Sequence, residues 1–211
     1  MELSVEEPKR FYTVQEYLHL EATSDTKHEY RDGEIIDMSG GTLEHSLVIA
    51  NVIRELGITL KGKPCRVYDS NLRVRIGPKP LYCYPDATVI CGEPVVDPNE
   101  AKRLTALNPR LVVEVISPRT AHADRGPKFT SYREIDGFEE YVLVSVDRPL
   151  IEVYYRQPDG TWLFSPVAGR DGSVRLRSVG VTLNLAEAYA GVEFPPDPDN
   201  LYAADAQANP T

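Results

Sequence analysis

Apolar residues recur at helical spacing from Leu43 to Leu60, where Ile49, Val52, Ile53, Leu56 and Leu60 predict one buried face. Thr13 to Leu18 predicts a shorter helix capped by Thr13. Elsewhere the period drops to two. His28 to Arg31 and Glu34 to Met38 flank Asp32-Gly33, a two-residue hairpin signal. Arg66 to Asp69 and Leu72 to Ile76 alternate as half-exposed strands do. Tyr84 to Ile90 and Leu111 to Ser117 are β-branched, apolar runs bounded by Pro, Gly and Asn, and so predict strands. Glu140 to Val146, Leu150 to Tyr155 and Thr161 to Phe164 predict late strands that extend a sheet or form a dimer surface. Glu93 to Arg110, with three prolines, predicts mostly loop. After Ser117-Pro118 and Arg119 to Gly126, the run Pro127 to Ile135 predicts a helix with Asp124 as N-cap and Pro127 in its first turn. The pattern is that of an α+β chain, one domain over 1–194, with a Pro-, Asp- and Ala-rich disordered tail over 195–211.

Two of those strands carry an acid among apolar neighbours. Alternation puts Asp86 on a face with Thr88 and Ile90, and Glu114 on one with Val112 and Ile116. A carboxylate there is costly to desolvate without a positive partner. If the strands are neighbours, one hard cation with oxygen ligands, Mg²⁺ above all, would serve both acids. Lys128 would lie near the start of the following helix, with Tyr132 one turn further on the same face.

Composition narrows the classes. The 211 residues are 42% hydrophobic and 26% charged, as in a folded globular protein. No apolar run approaches the ~20 residues needed to cross a bilayer, and the acidic Met1 to Glu7 lacks a signal peptide's basic start, so cytoplasm is expected. Cys65, Cys83 and Cys91 read as reduced core residues, since Cys83 and Cys91 lie ~26 Å apart along one strand and Cys65 has no local partner. The net charge of −9 argues against tight non-specific DNA binding. A local basic patch of Arg54, Lys61, Lys63, Arg66, Arg73, Arg75 and Lys79 would offset it, though a solvated surface explains these charges as well. Neither a Gly-rich phosphate loop nor Gly-x-Ser-x-Gly is present, which argues against an NTPase and a serine hydrolase.

Pro85-Asp86, then Glu114 on the next hydrophobic strand, then Lys128, resembles the PD-(D/E)xK nuclease superfamily. More narrowly, the chain to about Val192 resembles the Uma2 family of restriction-endonuclease-like proteins. The matching stretches are His28-Glu29-Tyr30, Asp32-Gly33-Glu34, Glu44-His45, Tyr84-Pro85-Asp86, Val113 to Pro118, Asp124-Arg125-Gly126 with Lys128, and Tyr141 to Val144. The superfamily lysine usually follows the glutamate by two residues, where this chain has Ile116. The resemblance implies a variant with the lysine moved to the following helix, and a long flexible ammonium stem can reach one site from either origin.

The resemblance implies a restriction endonuclease-like core with a mixed β-sheet flanked by helices. It also implies Mg²⁺, replaceable by Mn²⁺, on Asp86, Glu114 and the carbonyl of Val115, with Lys128 assisting phosphodiester hydrolysis in DNA. It raises Glu44 and His45 as further site residues. Without it, Glu44 is an acid at a helix N-terminus and His45 a structural side chain. Glu29 and Glu34 are weaker candidates, because hairpin acids usually serve the turn or the solvent. A homodimer is expected by analogy. Two rivals stand beside this reading: an inactive nuclease-fold binding or assembly module, and a metal hydrolase of small phosphates.

Overall fold

The computed structural model describes residues 10–38, 40–77, 81–100, 102 and 104–194. The expectations for Met1 to Glu7, Lys79 and the 195–211 tail lie outside the described residues.

In chain order the elements are α1 (Val14–Thr23), β1 (His28–Arg31), β2 (Glu34–Asp37), α2 (Leu43–Thr59), β3 (Cys65–Asp69), β4 (Arg73–Ile76), β5 (Leu81–Cys83), β6 (Ala87–Cys91), β7 (Thr105–Ala106) and β8 (Leu111–Ile116). There follow α3 (Ala121–Ala123), a π-helical segment (Asp124–Lys128), α4 (Phe129–Tyr132), β9 (Glu140–Ser145), β10 (Leu150–Arg156), β11 (Trp162–Ala168), β12 (Ser173–Leu176), β13 (Val181–Asn184) and α5 (Leu185–Ala188).

Central to the fold is a six-stranded sheet in the order β11-β10-β9-β8-β6-β3. Only β8 and β9 run parallel in it, and the helical stretch from Ala121 to Tyr132 makes the crossover that a parallel pair requires. Every residue of β8 and β9 is buried, as befits strands covered on both faces. On one face Val113, Val115, Val142 and Val144 pack with Val48, Val52, Leu56 and Leu60 of the long helix and with Leu183 and Tyr189. On the other, Val112, Ile116, Tyr141 and Leu143 meet Tyr132, Phe138 and the strands β4 and β5. Those strands belong to a second sheet, β2-β1-β5-β4-β7, and β12-β13 form a separate ribbon. The fold is α+β with mixed sheets flanked by helices.

The N-terminal signals act as their chemistry dictates. Thr13 and Glu16 form a reciprocal capping box on α1, and Thr42 accepts the His45 N–H to start α2. Asp32 and Gly33 both take positive φ, 49° and 89°, which a two-residue hairpin turn demands.

Four expectations need correction. Asp86 precedes β6 instead of lying within it, because Pro85 has no N–H for a ladder. The crossover helix starts at Ala121, so Asp124 is not its cap and Pro127 sits in its interior. The π-helical turn there accommodates the missing donor, since its wider pitch lets a later N–H take over. Cys65 and Cys91 form a disulfide, because β3 and β6 pair antiparallel with these two residues opposite each other. Only Cys83 among the three is free, so the inference of a reducing compartment loses that support. Finally, two members of the expected basic patch do not lie on it, while Arg54, Lys61 and Arg66 are exposed. Arg73 is buried against Glu21 and Glu100, and Arg75 pairs with Asp97.

Candidate functional site

Glu114 sits on β8 with its side chain on the aromatic face of the sheet, 4% exposed. Its Oε1 accepts from the Tyr132 hydroxyl at 2.9 Å and lies 3.0 Å from Lys128 Nζ. Two donors therefore hold one carboxylate oxygen. Lys128 reaches it from the π-helical segment, and the same ammonium lies 3.4 Å from Glu29 on β1 and 3.8 Å from Asp124. A straight helix from Ala121 would rotate Lys128 differently, so the wide turn decides its aim.

Asp86 enters from the bend before β6. Its Oδ2 accepts the Val115 backbone N–H at 2.7 Å, the residue next to Glu114. The N-terminal turn of α2 supplies His45, whose Nε2 lies 3.0 Å from the Val115 carbonyl oxygen and 3.7 Å from Asp86 Oδ2. A carbonyl can only accept, so Nε2 carries the proton.

Three carboxylates, Glu114, Glu29 and Asp124, thus surround one ammonium, and Asp86 feels its charge from beyond ion-pair range. Burial pushes Asp86 up, against the pull of the Val115 N–H, His45 and Lys128. Burial likewise pushes Glu114 up to about 8, with Lys128 pulling down and Asp86 and Asp124 adding to the rise. Burial works against the Lys128 ammonium, but Glu114 and Glu29 outweigh it and hold the group charged. The cluster is short of positive charge. Among the described residues no three His, Cys, Asp or Glu side chains gather as a self-sufficient metal site. The donors at hand are two carboxylates and the second lone pair of the Val115 carbonyl, all hard oxygens. That set fits Mg²⁺, which keeps several waters and takes one or two carboxylates from protein.

Of the residues singled out from sequence, Asp86, Glu114, Val115, Lys128 and His45 come together. Glu44 does not. It is exposed, and its own backbone N–H and the Thr42 hydroxyl hold its carboxylate below the usual range. Glu29 joins the cluster, although its place beside a turn suggested otherwise, because Tyr30 pairs with Tyr82 and brings β1 alongside β5. The role of Asp124 was missed as well, and its signal was spacing: it lies four residues before Lys128 on one helical face.

This chain matches the family described as "Uma2: Putative restriction endonuclease" over residues 14–186. It is 34% identical to the uncharacterized protein slr1290 of Synechocystis sp. across 85% of this chain and 92% of that protein. It is 31% identical to sll1609 of the same organism across 78% of this chain and 92% of that protein. Its fold is similar to a crystal structure of "a putative nuclease belonging to DUF820" from Anabaena variabilis, with a TM-score of 0.63, 18% identity, and coverage of 79% of this chain and 91% of that one. With the match running from the first helix to the last, the chain belongs to the Uma2 family, restriction endonuclease-like proteins of the nuclease class.

Proposed function

We propose that this protein is a divalent-metal-dependent endonuclease that hydrolyses phosphodiester bonds of DNA. What carries the reading is the meeting of Asp86, Glu114 and Lys128, from three separate elements, beside the backbone carbonyl of Val115. Asp86, Glu114 and the Val115 carbonyl would hold the cation. When bound, Mg²⁺ or Mn²⁺ lowers the pKa of a water and offsets charge on the phosphoryl oxygens.

The remaining work belongs to the chain. Lys128 fixes one oxygen of Glu114 and offers its charge to the oxyanion that develops at phosphorus. Tyr132 holds the same oxygen from behind, so Glu114 cannot swing away. His45 orients the Val115 carbonyl and pulls against the burial that raises Asp86. The apolar walls at Val112 and Ile116 keep bulk water from that side.

The direct test is incubation with supercoiled and single-stranded DNA in Mg²⁺ or Mn²⁺. Cleavage by the parent and its loss in Asp86→Ala are expected, and equal cleavage by both proteins refutes the site. One observation favours the inactive-module alternative: Lys128 is already paired within the cluster. Calorimetric titration separates the two, because such a module gives no Mn²⁺ heat that depends on Asp86.

A further inference from the structure

Next to the acid cluster lies a cavity of about 170 Å³ lined by Gly40, Gly41, Thr42, His45, Val115, Ser117, Arg119, Thr120 and Val146. It shares His45 and Val115 with the cluster, so the two spaces adjoin. Small-molecule pockets run to roughly 300–1,000 Å³, so this one suits a single polar group and not a whole nucleotide.

Its charge differs from that of its neighbour. A phosphodiester approaching Asp86 and Glu114 meets four carboxylates, and the cations nearby are committed. Lys128 is held by Glu114, Glu29 and Asp124, while Arg125 makes a forked contact with Glu152 at 2.9 and 2.5 Å. Arg119 is different. It lines the cavity and is exposed, and among the described residues it has no carboxylate partner. The Ser117 and Thr120 hydroxyls stand beside it, 3.5 Å apart, and can turn a donor towards an anion. Gly41 keeps the wall thin, since a Cβ there would lie 2.4 Å from His45 Nδ1.

We infer that this cavity is a backbone-phosphate subsite of the DNA substrate, with Arg119 as its anchoring cation, one phosphate along the strand from the bond to be cut. The inference rests on the nuclease reading and adds the direction in which the strand runs, from the acid cluster past His45 to Arg119. Arg119 is a binding residue here, not a catalytic one. A guanidinium at such a point secures the strand without reading sequence.

The test is fluorescence anisotropy with a short labelled DNA duplex, without divalent ion, from about 50 to 200 mM salt. The proteins are the parent, Arg119→Gln, Arg119→Lys and Arg156→Gln. Arg156 ends β10, about 20 Å along that strand from Leu150, and controls for general charge. Arg119→Gln should weaken binding several-fold at low salt and flatten the log Kd against log salt slope by about 0.9, the share of one phosphate contact. Arg119→Lys should keep the slope, and Arg156→Gln should match the parent. An unchanged slope in Arg119→Gln, an equal loss in Arg156→Gln, or no salt-dependent binding by the parent overturns the subsite. Mn²⁺ titration of the parent and Asp86→Ala reads the metal proposal separately, because Arg119 takes no part in it.

Discussion

Tyr132 is the side chain whose removal is most informative. Its ring packs against Phe138 and Tyr141, and its hydroxyl alone touches the candidate chemistry, bridging Cys83 at 3.2 Å and Glu114 at 2.9 Å. Tyr132→Phe keeps the packing and deletes one donor to a buried carboxylate. Urea denaturation should show a loss of about 1–3 kcal/mol. Mn²⁺ affinity, read by calorimetry, should fall roughly tenfold, as it does when a group orienting a metal ligand is removed. A stability loss with unchanged Mn²⁺ affinity would make the hydroxyl purely structural. Asp97 supplies the pH prediction. It is 1% exposed, and although burial acts to raise it, the Asn99 N–H, the Tyr82 hydroxyl and Arg75 hold it below the usual carboxylate range. The unfolded chain then binds this proton more readily than the native one, so the stabilisation is present above the unfolded pKa of about 3.9 and is lost as pH falls through the lower native value. Asp97→Asn should flatten the acid limb of thermal stability below pH ~4.

At the scale of elements, α2 and the β3–β6 pair hold one side of the central sheet. Leu56 is wholly buried between helix and sheet, so Leu56→Ala should cost about 2–5 kcal/mol in chemical denaturation. The Cys65–Cys91 bridge closes a separation of 26 residues, and chain entropy gives such a loop about 3.5 kcal/mol. A reducing agent should lower the melting temperature of the parent and leave a Cys65→Ser, Cys91→Ser double variant unmoved. Existence and type of the long elements were legible, since Leu43–Thr59 and the hairpin about Asp32-Gly33 follow from periodicity and turn chemistry alone. The crossover helix was legible only in outline. Its start at Ala121 and its wide turn depend on packing over β8 and β9, which local preference at Pro127 does not encode. The disulfide escaped for a related reason: nothing in the spacing of Cys65 and Cys91 states that their strands pair.

For the molecule as a whole, the charge of −9 counts against tight binding of the proposed DNA substrate, and its distribution adds to this. Four of the cations near the sheets are spent internally: Arg73 on Glu21 and Glu100, Arg75 on Asp97, Arg125 on Glu152, Lys128 on the acid cluster. Affinity for nucleic acid should therefore be modest and its salt slope shallow, because few phosphates are neutralised, a prediction the anisotropy series checks in the parent protein. Among the described residues no helix is long and apolar enough to cross a membrane. By itself the sequence determined the α+β class, the two acid-bearing hydrophobic runs and the lysine after them, because alternation, helical period and turn residues act over a few neighbours. Only the tertiary structure decided that Glu29 and Asp124 crowd Lys128, that Glu44 faces solvent, and that Asp86 grips the Val115 N–H. Those outcomes depend on which strands pair and how a helix turns above them, and such long-range choices are settled by burial of the whole core.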